Sequence, residues 1–277
     1  MCRHLGWTGE PRTLAALIFD PPRGLLHQSY APREQGHGLV NADGFGAGWY
    51  VPELRAEPAR YRRSVPIWTD ASFASLAPTV ASTCVVAAVR SASIGMPVEE
   101  SATAPFTQGR YLFSHNGRVD ADGLRGLLPH PAVPESPCDS AMLAALLWQR
   151  LSEPAAQLPE VVARLVVDAA GCPPPGREQA TVNVLAGDGT TLCASAWGET
   201  LYVRAQPDGV LIASEPGDAA GGWEQVPDRS LVVATGDSLS VTSLPAAPFR
   251  PGSVPATAHD ASSGAGPPYR PVPEEVS

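Results

Sequence analysis

A cysteine stands directly behind the initiator methionine, in the opening stretch MCRHLGWTGE. A position so close to the chain terminus is ordinarily frayed and solvated, whereas a free cysteine is ordinarily a small buried hydrophobe. Removal of Met1 would leave Cys2 with a thiol and a free α-amine, whose reference pKa near 7.7–8.0 leaves a fraction unprotonated at neutral pH. Cys2 could then combine nucleophile and base in one residue. On this feature alone, a chance cysteine is an equally good interpretation.

Other stretches could bind a substrate or stabilise negative charge. Arg90, in AAVRSASIG, is predicted at the end of a buried strand, where a guanidinium suits bidentate capture of a carboxylate. Asn116 and Gly117, in LFSHNGRVD, are predicted directly after another strand, where an amide and a backbone N–H could converge on an oxyanion. Asp139, in PCDSAML, could cap a helix, bind an ammonium group, or do both. A salt bridge and a turn are the structural alternatives for the first two stretches.

The elements that would position these residues are a mixture of helices and strands. The best helix is DSAMLAALLWQRL, over Asp139–Leu151, with Asp139 or Ser140 as its cap. AQLPEVVARLVVDA predicts a helix opened at Pro159, and EPRTLAALIFD predicts a short helix with Pro11 near its first turn. STCVVAAVR and RYLFSH are typical of buried strands. Paired apolar runs around a Gly/Asp turn predict hairpins in TVNVLAGDGTTLCASAW, ETLYVRAQPDGVLIAS and SLVVATGDSLSVTSL.

Strand meanders with segregated helices predict an α+β fold rather than a doubly wound parallel sheet. No glycine-rich nucleotide-binding loop, C-x-x-C pair or H-E-x-x-H motif occurs, so neither a cofactor nor a metal is predicted. The net charge of −9 comes from 28 acidic and 19 basic residues, and every basic residue is arginine. A chain without lysine cannot form a lysine Schiff base. Its acidity disfavours nucleic acid and anionic membranes as partners.

The composition of the 277-residue chain changes near its end, which predicts a folded region over residues 2–244 and a tail over residues 245–277. Proline, alanine, serine and glycine dominate the tail, which is therefore expected to be disordered. The start of the chain carries charges and no signal-peptide core, and no apolar run is long enough to span a bilayer. A cytoplasmic location is expected. The oligomeric state stays open, a homo-oligomer included.

Taken together, the candidate residues resemble the class II glutamine amidotransferase domain, a branch of the N-terminal-nucleophile hydrolases. The resemblance rests on Cys2 followed in order by NADGFGAGW, VRSAS, SHNG and DSAML, and it covers about residues 2–240. It implies a four-layer αββα sandwich of antiparallel sheets and one catalytic domain over residues 2–244. Longer stretches are similar to one narrower hydrolase group from actinobacterial biosynthesis: MCRHLGW, PPRGLLHQSYAPRE, HGLVNADGFGAGWY, DASFASLAP, AVRSASIGMP, SHNGRVD and ASEPGD.

The resemblance implies a role for each candidate residue. Cys2 matches the nucleophile, with its own α-amine as the base. Asn116 and the N–H of Gly117 match the oxyanion hole. Arg90 and Ser93 match positions that hold the α-carboxylate of a glutamyl group.

The remaining candidates concern the α-ammonium of the glutamyl group and the leaving group. Asp139 matches the position that holds the α-ammonium. The narrower group implies a cationic leaving group, for which Asp43 and Trp49 are pocket candidates together with Phe45 and Tyr50. Packing in the core is the alternative for these aromatic residues, and it is expected for at least two of them.

A free-standing γ-glutamyl amide hydrolase is the main functional prediction. Ammonia-donating amidotransferases need a second domain to receive ammonia, and the composition after residue 240 predicts no such domain. Ser91 and Arg118 depart from the broader family pattern and fit a substrate other than free glutamine. The alternatives are a general class II glutaminase, an ammonia-donating subunit, and a binding protein on a degenerate fold. The joint retention of the site residues argues against the last of these.

Overall fold

Two antiparallel β-sheets form the centre of the molecule in the computed structural model, which describes residues 2–36, 38–93, 95–236 and 238–247. The strands of the first sheet are β1 Arg3–Thr13, β2 Phe45–Trp49, β3 Ala59–Arg63, β4 Ala81–Val89, β9 Tyr202–Gln206, β10 Gly209–Ala213 and β11 Glu224–Gln225. Their spatial order is β11-β9-β10-β1-β4-β2-β3. β1 and β4 therefore lie in the middle of this sheet, with partners on both sides.

The second sheet contains two of the three predicted hairpins, and the third, β9–β10, lies in the first sheet. Its strands are β5 Phe106–Gln108, β6 Tyr111–Arg118, β7 Thr181–Gly187, β8 Thr191–Ala196, β12 Ser230–Thr235 and β13 Ser238–Ser243, in the spatial order β13-β12-β8-β7-β6-β5. The predicted hairpins are confirmed as the pairs β7–β8, β9–β10 and β12–β13. The predicted buried strands are confirmed as β4 and β6, whose apolar runs reflect burial on both faces.

The two sheets pack face to face around an apolar layer. Because side chains alternate along a strand, Val86 of β4 lies in this layer while its neighbours Val85 and Ala87 lie on the other face. Close approach of the sheets is permitted at Gly6 of β1. A Cβ atom at that position would lie 3.0–3.1 Å from methyl groups of leucines in the second sheet. The inner layer is thus built from small and branched apolar side chains.

Helices cover the outer face of each sheet. The helices are α1 Leu14–Ile18, α2 Leu25–Tyr30, α3 Ala71–Leu76, α4 Ala121–Arg125, α5 Asp139–Leu151 and α6 Leu158–Ala170. The first three share an apolar cluster with the first sheet, and the last three share one with the second sheet. Single 3₁₀ turns occur at Ile67–Thr69, Ala77–Thr79 and Glu100–Ala102. The described residues thus form an αββα sandwich, so the predicted fold class is confirmed.

The helices that follow β6 match the sequence pattern closely. α5 has the predicted bounds, and it is buried on nearly all sides, since every residue from 141 to 148 is buried. The predicted cap was wrong, because Cys138 occupies the N-cap position and no side chain caps the helix. α6 carries Pro159 in its first turn, as predicted, where a missing backbone N–H costs no intrahelical hydrogen bond.

The predicted start of the first helix was wrong. β1 continues through Pro11 to Thr13, and α1 begins only at Leu14. The pairing of β1 with β4 shifts register between Thr8 and Arg12, and proline in a sheet is tolerated at such irregularities. The Thr13 side chain accepts a hydrogen bond from an N–H of the first turn and so caps α1.

The chain beyond β13 stays attached to the fold as far as it is described. The N–H of Leu244 donates to the carbonyl of Arg229 at 2.7 Å, and Leu244 and Ala247 pack against the outer cluster of the second sheet. The predicted tail beyond residue 247 lies outside the described residues, so the division at residue 244 stays a prediction. No helix within the described ranges has the length and hydropathy needed to cross a membrane.

Gly46 in β2 has no room for a side chain. A Cβ atom there would overlap the carbonyl oxygen of Ala104, a backbone atom that cannot swing away. Gly46→Ala should therefore lower the free energy of unfolding by about 1–3 kcal/mol, as measured by chemical denaturation. Gly221→Ala is the matched control, because a Cβ atom at that site meets nothing within 4 Å. Equal unfolding midpoints for the two variants would contradict the packing described for β2.

Candidate active site

The pairing of β1 with β4 brings two predicted site residues together. Arg3 lies opposite Val89 in the antiparallel register, so Cys2 just before β1 and Arg90 just after β4 are neighbours. The partly buried Cys2 thiol lies 3.9 Å from the carbonyl oxygen of Ser91. The thiol and the guanidinium therefore meet at one end of the central strand pair.

A small cavity holds the Cys2 side chain together with groups from both sheets. Its volume is about 20 Å³, enough for roughly one water molecule. Its walls include Arg90, His115 and Ser140, with further atoms from the end of β4 and from residues 102–104 and 106. A glutamyl group is larger than this space and must widen the cavity or extend beyond it.

Arg90 directly follows β4 and is 7% exposed. Its N–H donates to the carbonyl of Gly44, and its own carbonyl accepts from the N–H of Asp43. Its Nη1 atom is buried and has no hydrogen-bond partner among the described residues, which leaves it available to a carboxylate. Ser93 follows in the same segment, where its carbonyl accepts from the N–H of Met96.

The Asp43 carboxylate has a structural contact in this segment. Its Oδ2 atom accepts a hydrogen bond from the N–H of Ala92 at 2.7 Å. Asp43 therefore fixes the backbone that follows Arg90. Its proposed contact with a leaving group has no further support from this geometry.

The aromatic candidates for the leaving-group pocket lie elsewhere. Phe45 pairs with Val89 and Trp49 with Val85, so Trp49 lies four residues further from the Cys2 end of the sheet, a distance of about 13 Å. Trp49 packs beside the outer cluster of the first sheet, and Phe45 belongs to that cluster. The Tyr50 hydroxyl donates to backbone carbonyls at 2.8 and 2.9 Å. The structure therefore keeps Trp49 away from the cavity, and core packing holds for all of these aromatic residues.

Asn116 and Gly117 lie within β6, not after it as predicted. Asn116 is fully buried, and neither its Oδ1 nor its Nδ2 atom has a hydrogen-bond partner among the described residues. Buried polar groups are ordinarily hydrogen-bonded, so this amide is unusual and available to an incoming oxyanion. At Gly117 a Cβ atom would overlap the carbonyl oxygen of Thr181, so β6 and β7 need glycine there.

The neighbour of Asn116 across the ladder shows the opposite behaviour. Asn183 on β7 lies directly opposite Asn116 and is equally buried. Its Oδ1 accepts from the N–H groups of Trp197 and Glu199, and its Nδ2 donates to the carbonyls of Glu199 and Thr200. Both polar atoms of the Asn183 side chain are therefore hydrogen-bonded within the fold, whereas neither polar atom of the Asn116 side chain is.

Asp139 begins α5 and is bonded to the backbone through both carboxylate oxygens. Oδ2 accepts from the N–H of Val119 at 3.2 Å, and Oδ1 accepts from the N–H of Ser140 at 2.8 Å. Each oxygen retains a lone pair, so the carboxylate can still accept from an ammonium group.

Two histidines near Cys2 are buried: His115 lines the cavity, and His4 lies two residues after Cys2 on β1. Burial lowers the pKa of His4 to about 3. Burial also lowers the pKa of His115, although the charge of Asp139 acts in the opposite direction. Both imidazoles are therefore neutral near neutral pH. The Nδ1 atom of His4 lies 3.4 Å from the hydroxyl of Ser114 on the facing sheet.

Sequence reasoning gave no substrate contact to His115 or Ser140, although both line the cavity. The available signal was position, since each adjoins a predicted site residue in the chain, Asn116 and Asp139 respectively. In the ranges that the structure describes, no group of three or more His, Cys, Asp or Glu residues could hold a metal ion.

Comparison with solved structures identifies the class of fold. A glutamine aminotransferase class-II domain protein from Silicibacter pomeroyi superposes with a TM-score of 0.59 at 20% identity, over 88% of this chain and 100% of that chain. The fold is therefore that of the class II glutamine amidotransferases, with the N-terminal-nucleophile hydrolase architecture that the motifs predicted.

Comparison of sequences identifies the family. The γ-glutamyl-hercynylcysteine sulfoxide hydrolase of Mycolicibacterium smegmatis is 51% identical over 88% of this chain and 100% of the relative. The protein of the same name from Mycobacterium tuberculosis is 46% identical over 88% of this chain and 97% of the relative. No family model matches the sequence. The chain belongs to the γ-glutamyl-hercynylcysteine sulfoxide hydrolase family.

Replacement of Asn116 should separate activity from stability. Asn116→Leu removes two unpartnered polar atoms from the interior, so the free energy of unfolding should not fall. Hydrolytic activity should fall about 10²–10³-fold, the usual effect of losing one oxyanion donor. Initial rates and chemical denaturation measure the two effects.

Asn183→Leu is the matched control at the neighbouring ladder position. It removes four hydrogen bonds that Asn183 makes within the fold and should lower the free energy of unfolding by about 2 kcal/mol or more. An equal loss of stability in Asn116→Leu would show that the Asn116 amide is bonded within the fold and is not reserved for a ligand.

Proposed function

We propose that this chain hydrolyses the γ-glutamyl amide bond of γ-glutamyl-hercynylcysteine sulfoxide, releasing glutamate and hercynylcysteine sulfoxide. The observation that carries the proposal is the Cys2 thiol in one cavity with Arg90, at the end of the central strand pair. The names of the relatives support the choice of substrate. The narrower group that the sequence resembles acts in ergothioneine biosynthesis, and we place the reaction there, in the cytoplasm.

The glutamyl group would be bound at both of its charged ends. The unpartnered Nη1 of Arg90 is available for the α-carboxylate, with Ser93 further along the same segment. The Asp139 carboxylate, fixed by two backbone N–H groups, is available for the α-ammonium. Fixing both ends would leave the γ-carbonyl carbon facing the sulfur and would make the reaction effectively intramolecular.

The first half of the reaction would acylate Cys2. Its α-amine takes the thiol proton, and the thiolate attacks the γ-carbonyl carbon. Asn116 Nδ2 and the N–H of Gly117 donate to the oxyanion that forms. Collapse of the oxyanion breaks the C–N bond, and the leaving nitrogen receives the proton from the Cys2 ammonium. The products of this half are a γ-glutamyl thioester and the free amine.

The second half would regenerate the enzyme. The Cys2 α-amine takes a proton from water, and the hydroxide formed attacks the thioester carbonyl. The same donors hold the second oxyanion. Its collapse breaks the C–S bond, the sulfur recovers a proton from the ammonium, and glutamate leaves. Both halves need Cys2 at the very start of the chain, so Met1 must be removed first.

Cys2→Ala should abolish turnover and leave the fold intact. The variant lacks the nucleophile, so release of glutamate should fall by at least about 10⁴-fold, while the unfolding midpoint stays near that of the wild type. Cys172→Ala is the control, because that thiol donates to the carbonyl of Asp168 at the end of α6 and is remote in its contacts from the cavity. Intact-mass analysis should show the wild type without its initiator methionine. Retained turnover in Cys2→Ala would end the proposal.

A comparison of substrates tests the reaction assigned here against a general glutaminase. Wild-type enzyme should show a higher kcat/KM for the γ-glutamyl sulfoxide conjugate than for free glutamine, measured as released glutamate under identical conditions. A glutamine-like diazoketone should label Cys2 and no other cysteine, which peptide mass mapping would locate. A higher kcat/KM for glutamine would favour the general glutaminase instead.

A further inference from the structure

A chain of two hydrogen bonds reaches the Cys2 cavity from β7. The Nε2 atom of His115 lies 3.2 Å from the carbonyl oxygen of Thr181. The Nδ1 atom of the same imidazole lies 3.0 Å from the hydroxyl oxygen of Ser140. His115 and Ser140 both line the cavity that contains the Cys2 side chain. The second sheet and the start of α5 are thus connected at the cavity wall through one imidazole.

The partners of His115 determine where its proton lies. A carbonyl oxygen can only accept, so Nε2 must carry the hydrogen that is donated to Thr181. Burial keeps the imidazole neutral, as its lowered pKa also indicates, so Nδ1 carries no hydrogen and accepts. The Ser140 hydroxyl must therefore donate its hydrogen to His115. Its oxygen is left with lone pairs alone.

The Ser140 hydroxyl does not cap α5, so capping does not explain its position. Cys138 is the N-cap residue of α5, and no side chain caps that helix. The Ser140 hydroxyl is also within 3.5 Å of Asp139 Oδ1, at the outer limit of a hydrogen bond, but its contact with His115 Nδ1 is shorter, at 3.0 Å. The hydroxyl has one hydrogen, and we assign it to the shorter contact with His115, which leaves the Ser140 oxygen as an acceptor beside the Asp139 carboxylate. Adjacent acceptors without a shared hydrogen suit a ligand with several N–H donors.

We propose that Ser140 is a substrate-binding residue that accepts a hydrogen bond from the α-ammonium of the glutamyl group, beside Asp139. His115 is its positioning residue, because it fixes the rotation of the hydroxyl. The neutral state of His115 also matters, since an imidazolium at this distance would repel the ammonium. This inference rests on the proposed function and adds a contact that selects γ-glutamyl substrates over analogues without the α-amine.

The test pairs the variant Ser140→Ala with two amides of the same chromogenic amine, one γ-glutamyl and one glutaryl, which lacks the α-amine. For the γ-glutamyl amide kcat/KM should fall about ten- to a hundredfold, the usual effect of losing a hydrogen bond to a charged group. For the glutaryl amide the change should be under about threefold. Where the glutaryl amide is not turned over, its inhibition constant is the readout. Ser152→Ala, just beyond the other end of α5, is the control and should behave as wild type with both.

Equal losses on the two amides would overturn the proposal, because Ser140 would then act without reference to the α-amine. Failure of the wild type to cleave the γ-glutamyl amide and the sulfoxide conjugate would instead reject the proposed function. Unfolding midpoints of all variants, measured alongside, show whether a loss arises from misfolding, which would lower the rates on both amides alike.

Two substitutions test the part played by His115. The side-chain amide of His115→Gln can accept from Ser140 and donate to the Thr181 carbonyl, whereas His115→Leu can do neither. His115→Leu should lose activity selectively on the γ-glutamyl amide, as Ser140→Ala does, and His115→Gln should recover at least part of that loss. Equal activity of the Gln and Leu variants, or a loss by His115→Leu on both amides alike, would overturn the positioning role.

Discussion

The pairing of β1 with β4 is the constraint on which the site depends. A residue next to a chain terminus is ordinarily frayed, yet Arg3 is fully buried and β1 has a hydrogen-bonded partner on each side. The strand is therefore held from its first residue, and Cys2 is fixed at the point where it leaves the sheet. The antiparallel register then decides that Arg90 is its neighbour. A slip of one residue would turn every side chain of β1 to the opposite face.

The sequence predicted what depends on local pattern. The three hairpins were recognisable because each turn carries glycine or aspartate between apolar runs. α6 was recognisable because its apolar residues recur at helical spacing, with Pro159 in its first turn, whereas α5 was recognisable from the length of its segment, 13 residues. The motifs that accompany Cys2 then predicted the αββα architecture. The local pattern wrongly predicted a helix at Pro11. Pro11 lies in a strand because the pairing of β1 with β4 shifts register there, and β4 is distant in the sequence.

The parts of the site that escaped prediction depend on contacts between distant segments. Asp43 offered a carboxylate of the right type, but the backbone of Ala92 engages it. The Trp49 ring is of a type that binds cations, but Trp49 lies at the end of β2 that is distant from Cys2. Ser140 looked like a helix cap, and only the imidazole of His115 from β6 reveals where its hydrogen points. Residue type alone could not settle any of these, because each outcome is decided by the partner.

The contrast between Asn116 and Asn183 shows how the fold provides for chemistry. The two residues have the same type, face each other across one ladder and are both fully buried, yet one has every polar atom bonded and the other has none. An unsatisfied buried amide costs about 1–3 kcal/mol, so its persistence requires stabilisation elsewhere. Asn183 contributes some of it by fixing the backbone of residues 197–200. A partner for Asn116 from within the chain would stabilise the fold, but it would occupy the amide that the proposed reaction needs free.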